Sequence, residues 1–218
     1  MNAEPTADTI VFSPTDFQTP QTITLTGTEL SLTDTSGATT ITGPAAGLIV
    51  SGGGKSRVFD INPGVTASIS GLTVTGGQAD NGGGLANYGA ATLGNTIVAG
   101  NTASNRGPDA DGTFTSQGHN LIGKFDGSFG WVNSDLIGTI ASPLQPDLAP
   151  LGDYGGPTQT MPLLPGSPAS GAGASGAGIP TTDQRGQIRG SSVDIGAFQG
   201  EGTTLVVDTT TEIGRAHV

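Results

Sequence analysis

A strand-like motif recurs at a constant interval of about 24 residues along the middle of the chain. Its four copies are LIVSGGG at 48–54, LTVTGGQ at 72–78, TIVAGNT at 96–102 and NLIGKFD at 120–126. The third residue of each copy is apolar and β-branched, and small or turn-forming residues follow it: Val50, Val74, Val98 and Ile122. This pattern predicts one short strand per period, closed by a turn. A fixed period indicates a repeat architecture, in which each copy packs against an equivalent neighbour.

Two further groups of strand-forming residues recur between these copies. The first group is VFDI at 58–61, LANY at 85–88 and DADG at 109–112, and the second is TASIS at 66–70, AATL at 90–93 and FTSQG at 114–118. Gly, Asn and Pro lie between them, so each period carries about three short strands. The segment TLTGTEL at 24–30 fits the spacing but not the phase, because alternation there favours Ile23 and Leu25 as the inward-facing pair.

Strands this short gain little by pairing as hairpins, whereas stacked coils give every strand a parallel neighbour at about 4.8 Å. The sequence therefore predicts an all-β solenoid with about 24 residues per coil. Its predicted core consists of apolar residues on the inner walls: Leu48, Val50, Phe59, Ile61, Ile69, Leu72, Val74, Leu85, Val98 and Ile122. A β-sandwich is the alternative, since it also contains many short strands. Unequal loops combined with a constant period favour the coil.

Composition argues against several classes of partner. The formal net charge is -11 and the chain contains 7 Lys and Arg residues, too few to neutralise a run of phosphates. We therefore expect no nucleic acid or anionic membrane as partner. Apolar runs such as GLIV at 47–50 are too short to span a bilayer. The absence of Cys excludes a disulfide scaffold, a thiolate nucleophile and a Cys-ligated metal.

Seven segments, which together cover most of the chain, carry a resemblance to a known family. They are ITGPAAGLIVSGGGKSRVFDI at 41–61, ISGLTVTGG at 69–77, NTIVAGNTA at 95–103, FTSQGHNLIG at 114–123, DYGGPTQTMPLLPGSPA at 153–169, TDQRG at 182–186 and VDIGAFQGE at 193–201. The chain resembles bacterial surface proteins of the choice-of-anchor Q type, often with a CSLREA-type N-terminal region. The resemblance implies a right-handed parallel β-helix with a loop-rich C-terminal cap, at the cell surface or outside the cell. One departure is Ser170-Gly171, where family members usually carry an acidic residue.

The expected organisation has four parts. They are parallel β-helix coils at 1–150, a loop-rich C-terminal cap segment at 151–201, the start of a further unit at 202–212, and a sequencing-adapter artefact at 213–218. The last six residues, IGRAHV, correspond to a widely used adapter read in frame, and a natural tail is the alternative. The resemblance implies that an N-terminal capping helix is missing, and that this chain is one unit of a longer protein.

Acidic residues are the main candidates for chemistry. Asp109 and Asp111 alternate along a predicted strand, which would place both carboxylates on one face. They could contribute to a Ca2+ site, but such a site takes about 6 to 8 oxygens and the other ligands are not visible. The alternative is a solvated turn. Asp80 beside NGGG is interpreted as a loop acid in a sharp turn.

Two other groups of residues are interpreted as structural. Asp183, Arg185, Arg189 and Asp194 form a dense cluster of opposite charges, which favours an ion-pair lock in the cap over a catalytic arginine. His119 has no nucleophile with an acid partner nearby in the sequence, so we expect it to be a packed corner residue. The glycine runs at 52–54 and 82–84 lack the features of a phosphate loop, and are expected to form coil corners with positive φ.

An ordered threonine array on a flat face can organise water. The outward positions of the repeated strand are Ile49, Thr73, Ile97 and Leu121, which do not form such an array, so the sequence argues against an ice-binding protein. Apolar residues at these positions predict a face that loops or a partner cover.

The sequence thus predicts a non-enzymatic extracellular or cell-surface module for display, adhesion or structural spacing. A surface glycan or protein is the expected partner, with no catalytic residue, metal or cofactor. The alternative is a carbohydrate-active β-helix, lyase-like or hydrolase-like, that acts on acidic polysaccharide and uses Asp109, Asp111 or residues outside the chain.

Overall fold

The structure is a computed structural model. It describes residues 7–13, 15–17, 21–44, 48–149, 152–154, 159–175, 181–183, 185, 187–196 and 198–200. The expected further unit at 202–212 and the adapter-like end at 213–218 lie outside the described residues. The strands within these residues are β1 Asp8–Ile10, β2 Gln21–Thr24, β3 Leu30–Leu32, β4 Ala38–Thr42, β5 Leu48–Ser51, β6 Phe59–Ile61, β7 Thr66–Ser70, β8 Thr73–Thr75, β9 Gln78–Asn81, β10 Leu85–Gly94, β11 Ile97–Val98, β12 Thr102–Arg106, β13 Ala110–Ser116, β14 Leu121–Ile122, β15 Ser128–Phe129, β16 Leu136–Ile137, β17 Gly152–Asp153 and β18 Gln159–Thr160.

The strands stack as a parallel β-solenoid of about 4 turns with about 25 residues per turn, which confirms the predicted fold. The first sheet runs in the order β1-β4-β7-β10-β13-β15, and β3 and β6 extend it along the first half of β10. The second sheet runs in the order β16-β14-β11-β8-β5-β2, and the third sheet pairs β12 with β9. A separate antiparallel pair joins β17 and β18.

The predicted core ladder is confirmed residue by residue. Val50 pairs with Val74, Val74 with Val98, and Val98 with Ile122 in the second sheet. All ten residues predicted for the core are buried. Leu25 is buried and Ile23 packs against the core, as the alternation at that coil predicted. Burying apolar side chains in every coil supplies about 25 cal/mol per Å² of surface removed from water.

The period is constant only in part of the solenoid. In the second sheet, the sequence interval between paired strands equals that of the repeated motif from β5 through β8 and β11 to β14. The sequence interval between β2 and its partner β5 is longer. In the first sheet, the interval from Leu30 to its partner Phe59 is longer than the motif period, and that from Leu93 to Ser116 is shorter. Loops at the corners absorb these differences. The predicted strands at 85–88 and 90–93 are one strand, β10, and β9 and β12 were not predicted.

Parts of residues 163–175 and 193–196 pack against the side of the solenoid. Ile97 and Leu121, which point outward from the second sheet, form a separate apolar cluster with Ala169 and Ile195. Leu163 and Ala172 pack against the same cluster. Loops therefore cover this part of the second sheet, which confirms one of the two explanations offered for its outward apolar residues.

The glycine runs serve the corners in two ways. Gly53, Gly54 and Gly82 have positive φ, as predicted. Gly52, Gly83 and Gly84 do not, so the prediction was wrong for these three. At Gly83 the role is steric: a Cβ there would collide with the main-chain oxygens of Thr102 and Pro108 in the next coil. The corner thus lets adjacent coils approach closely.

Candidate functional site

The third sheet carries a row of exposed polar side chains on two adjacent coils. In the parallel pair β9–β12, Gln78 lies beside Thr102 and Ala79 beside Ala103. Because side chains alternate along a strand, the exposed positions are polar, and the two alanines between them are half-buried. A groove of about 650 Å³ opens here, lined by Gly54, Lys55, Gln78, Ala79, Asp80, Thr102, Ala103 and Ser104. We call it the polar groove.

Hydrogen bonds between the coils hold the polar groove in register. Ser104 Oγ donates to Asp80 Oδ1 at 2.8 Å, and Asn105 Nδ2 donates to Asn81 Oδ1 at 2.8 Å. Asp80 lies on β9, so the prediction of a loop acid in a sharp turn was wrong. Lys55 is exposed at the groove and forms no ion pair within the described residues. The groove thus offers one cation, one carboxylate and several neutral hydrogen-bonding groups.

A buried Asn–Asp pair supports the corner below the groove. Asp109 Oδ1 accepts hydrogen bonds from the main-chain N of Asn101 at 2.9 Å and from its Nδ2 at 3.0 Å. Asn101 Oδ1 in turn accepts from the main-chain N of Gly77 at 2.8 Å, one coil earlier. Lys124 Nζ donates to the Asn101 carbonyl at 2.8 Å. This network fixes the end of β11 and the start of β12, and so positions the groove residues that follow Asn101.

The same arrangement recurs at another corner. Asn120 donates from its main-chain N and from Nδ2 to Asp135 Oδ1, both at 3.0 Å. Its Oδ1 accepts from the main-chain N of Thr96, one coil earlier, at 3.0 Å. Both pairs satisfy buried main-chain groups at coil corners, where the sheet ladders end. Sequence reasoning missed this role, although the Asn residues at 101 and 120 lie inside the repeated motif.

The carboxyl group of Asp109 is enclosed by the fold. Asp109 is 0% exposed, and its Oδ2 has no hydrogen-bond partner within the described residues. Burial raises the pKa of Asp109, and the hydrogen bonds from Asn101 and the charge of Lys124 oppose that shift. The prediction of a solvated turn was wrong at this residue.

Asp111 is also buried, at 1% exposure, but it has a different partner. Arg106 Nε lies 2.7 Å from Asp111 Oδ1 as a charge contact, and Arg106 donates from its terminal nitrogen to Oδ2 at 3.1 Å. Asp109 and Asp111 are thus bound to separate groups. Across the part of the chain that the structure describes, no group of three or more His, Cys, Asp or Glu side chains could hold a metal ion.

The charge cluster near the C-terminus stabilises loops by several kinds of bond. Arg185 forms an ion pair with Asp183 at 2.9 Å, and Arg185 stacks on the ring of Phe198 at 3.8 Å. Asp194 instead accepts from main-chain N–H groups, and Arg189 donates to the carbonyls of Asp194 and Gly196. Burial lowers the pKa of Arg189, while the charges of Asp183 and Asp194 oppose the shift. The predicted ion pair is observed between Asp183 and Arg185. Arg189 and Asp194 instead bond to main-chain groups.

His119 links the solenoid to the segment that covers it. Its φ is 57°, and its Nδ1 lies 2.7 Å from the carbonyl oxygen of Ala172. It is half-buried at a corner, which confirms the structural interpretation of this residue.

The polar groove and the buried Asp109 can be compared with the carboxyl pair of a glycosidase. Glycoside hydrolysis ordinarily uses two carboxyl groups that flank the scissile bond. The polar groove has a single carboxylate, Asp80, among its lining residues, and Asp109 is closed to any polymer.

No helix in the described residues is long and apolar enough to cross a membrane.

Comparison of the chain with protein-family models, with curated proteins and with solved structures finds no match. What the geometry establishes is the fold: a parallel β-solenoid with an open polar groove on its third sheet.

Proposed function

We propose that this chain is a non-enzymatic β-helix module of an extracellular or cell-surface bacterial protein of the choice-of-anchor Q type, and that its polar groove binds a surface glycan. The observation that carries the proposal is the groove itself, with polar side chains in register on adjacent coils. Hydroxyl, amide and charged groups there match the hydroxyls of a sugar chain. The parallel ladder beneath them presents these groups from a rigid surface.

The way in which the groove groups are held supports a binding role. Ser104 donates a hydrogen bond to Asp80, and the residues that line the groove include no other carboxylate to act as the partner of Asp80 in hydrolysis. Lys55, exposed and without an ion-pair partner in the described residues, gives the groove a preference for acidic sugars. The carbohydrate-active enzyme therefore remains the second candidate, and turnover distinguishes it from the first.

The test is calorimetric titration of the purified chain with neutral and acidic oligosaccharides, followed by assay of the same mixtures for new reducing ends and unsaturated products. Binding without turnover supports the module. Release of products would move the enzyme to first place. Absence of binding to every glycan tested would leave a structural spacer.

Two matched variants locate the binding. Thr102→Glu places a second carboxylate in the polar groove and is expected to abolish binding of acidic oligosaccharides. Thr22→Glu makes the same change on an exposed position of β2, in the second sheet, and is expected to leave binding unchanged. Equal affinity in both variants would show that the ligand binds elsewhere.

A further inference from the structure

A column of hydroxyl groups runs across five strands of the first sheet. Thr9 pairs with Thr40, Thr40 with Ser68, Ser68 with Thr92, and Thr92 with Thr115. All five side chains point outward, because the residues that follow Thr40, Ser68 and Thr92 in the chain are buried core residues. With about 4.8 Å between adjacent strands, the column is about 19 Å long.

Unequal spacing hides this column in the sequence. The intervals between successive members shorten steadily from Thr9 to Thr115, whereas the repeated motif keeps a constant period. The sequence argued against a threonine array from the outward positions of the second sheet, and that conclusion holds for the second sheet only. The first sheet, however, aligns hydroxyls that no fixed period connects.

The five hydroxyl groups are free to bind water. None of them forms a hydrogen bond to another group of the protein within the described residues. The hydroxyls of the polar groove differ, since Ser104 Oγ is bonded to Asp80 and Thr102 Oγ1 lies 3.3 Å from the carbonyl of Gly77. The column is thus a set of donors and acceptors that only solvent or a ligand can satisfy.

The surroundings of the column are uncharged and offer further hydroxyls. On one side, Thr42 and Ser70 are in register, with Ser70 Oγ 3.5 Å from Thr42 Oγ1. On the other side, Thr66 lies between Ala38 and Ala90. No Lys, Arg, Asp or Glu occurs at these flanking positions, although Asp and Glu alone number 18 in the chain. We call the column and its two flanking rows the hydroxyl face.

We propose that the hydroxyl face binds the surface of ice. Water molecules that are bonded to in-register hydroxyls lie as far apart as the adjacent strands. This distance is close to the repeat of oxygen atoms along one axis of ordinary ice. Each bridging water retains most of the enthalpy of a direct hydrogen bond and loses little entropy where it is already ordered. A rigid parallel sheet holds the five rungs in a line, so many such waters can join the lattice together. This function is independent of the polar groove.

The experiment uses the purified chain in assays of ice recrystallisation, ice-crystal shape and thermal hysteresis. We expect faceted crystals and slowed recrystallisation. Thr92→Lys places a charge in the centre of the column and is expected to abolish both effects. Thr115→Lys, nearer the end of the column, is expected to reduce them and serves as a second variant if Thr92→Lys does not fold.

Thr22→Lys, at an exposed position of β2 in the second sheet, is the matched control and is expected to leave ice activity unchanged. Circular dichroism and urea unfolding establish that each variant is folded. Absence of crystal shaping by the unaltered chain would overturn the proposal. So would equal ice activity in folded Thr92→Lys, or binding of the face to a crystalline polysaccharide with no effect on ice.

Discussion

Asn101 donates two hydrogen bonds to a single oxygen of Asp109, from its main-chain N at 2.9 Å and from Nδ2 at 3.0 Å. Both residues are 0% exposed. The side-chain amide of Asn101 bonds the carboxylate of Asp109 and also main-chain groups of the preceding coil. It therefore ties three segments together at one corner. The stability of the solenoid should therefore depend on this pair.

Replacement of Asn101 by Ala should destabilise the chain strongly. The change removes a hydrogen-bond partner from three groups in a buried site: the N–H of Gly77, the carbonyl of Val74 and the carboxylate of Asp109. We expect the free energy of unfolding to fall by about 3 kcal/mol in urea titration. Asn105→Ala, on the exposed face of β12, is the control and should cost less than about 1 kcal/mol. Equal losses in the two variants would contradict a special role for the corner.

Replacement of Asp109 by Asn should change how stability depends on pH. Burial raises the pKa of Asp109 above its ordinary value of 3.8, so the folded chain holds this proton more tightly than the unfolded chain. Its stabilising contribution is complete below that ordinary value and is lost as pH rises through the folded pKa. The variant keeps an oxygen for Asn101 and has no charge to bury.

We therefore expect the free energy of unfolding of Asp109→Asn, relative to the unaltered chain, to rise as pH increases from the ordinary value of 3.8 through the folded pKa. Urea titrations at a series of pH values measure it. Asp109→Ala removes the acceptor and should be destabilised throughout. If the free energy of unfolding of Asp109→Asn differs from that of the unaltered chain by the same amount at every pH, the carboxyl group carries no desolvation penalty.

Ile195 should control how residues 163–175 and 193–196 pack against the second sheet. It is 0% exposed and packs with Ile97 and Leu121, whereas Ile188 in the same segment is 79% exposed. Ile195→Ala should cost about 2 to 4 kcal/mol of local stability. Hydrogen exchange should then accelerate around residues 169–175 and leave the core strands β7 and β10 protected. Ile188→Ala should change nothing, and acceleration throughout the coils would indicate global unfolding instead.

Gly83 should tolerate no side chain. A Cβ at this position would overlap the carbonyl oxygens of Thr102 and Pro108, which belong to the main chain and cannot move aside without shifting a coil. We expect Gly83→Ala to lose about 3 kcal/mol or more in urea titration. Gly190→Ala, where a Cβ meets open space, should lose nothing. A Gly83→Ala chain of unchanged stability would mean that adjacent coils are less closely packed than described.

The apolar residues that recur in the repeated motif were sufficient to predict the inner wall of the second sheet. Val50, Val74, Val98 and Ile122 recur at a constant interval, because coils of equal length place equal residues at equal heights. Burial of the whole predicted core followed from the same regularity. The polar groove was not predicted, since β9 and β12 contain few of the apolar residues that reveal a strand by alternation.

The sequence by itself thus determined the solenoid, its inner ladder and the turn-forming residues at its corners, because these depend on residues at a regular distance along the chain. Only the tertiary structure decided which surfaces are open and which acids are buried. Loops of unequal length bring Thr40, Ser68 and Thr92 into one line, and the fold-back of the C-terminal segment covers Ile97. Asp109 lies among polar and turn-forming neighbours, and its burial arises from the coils stacked above and below it.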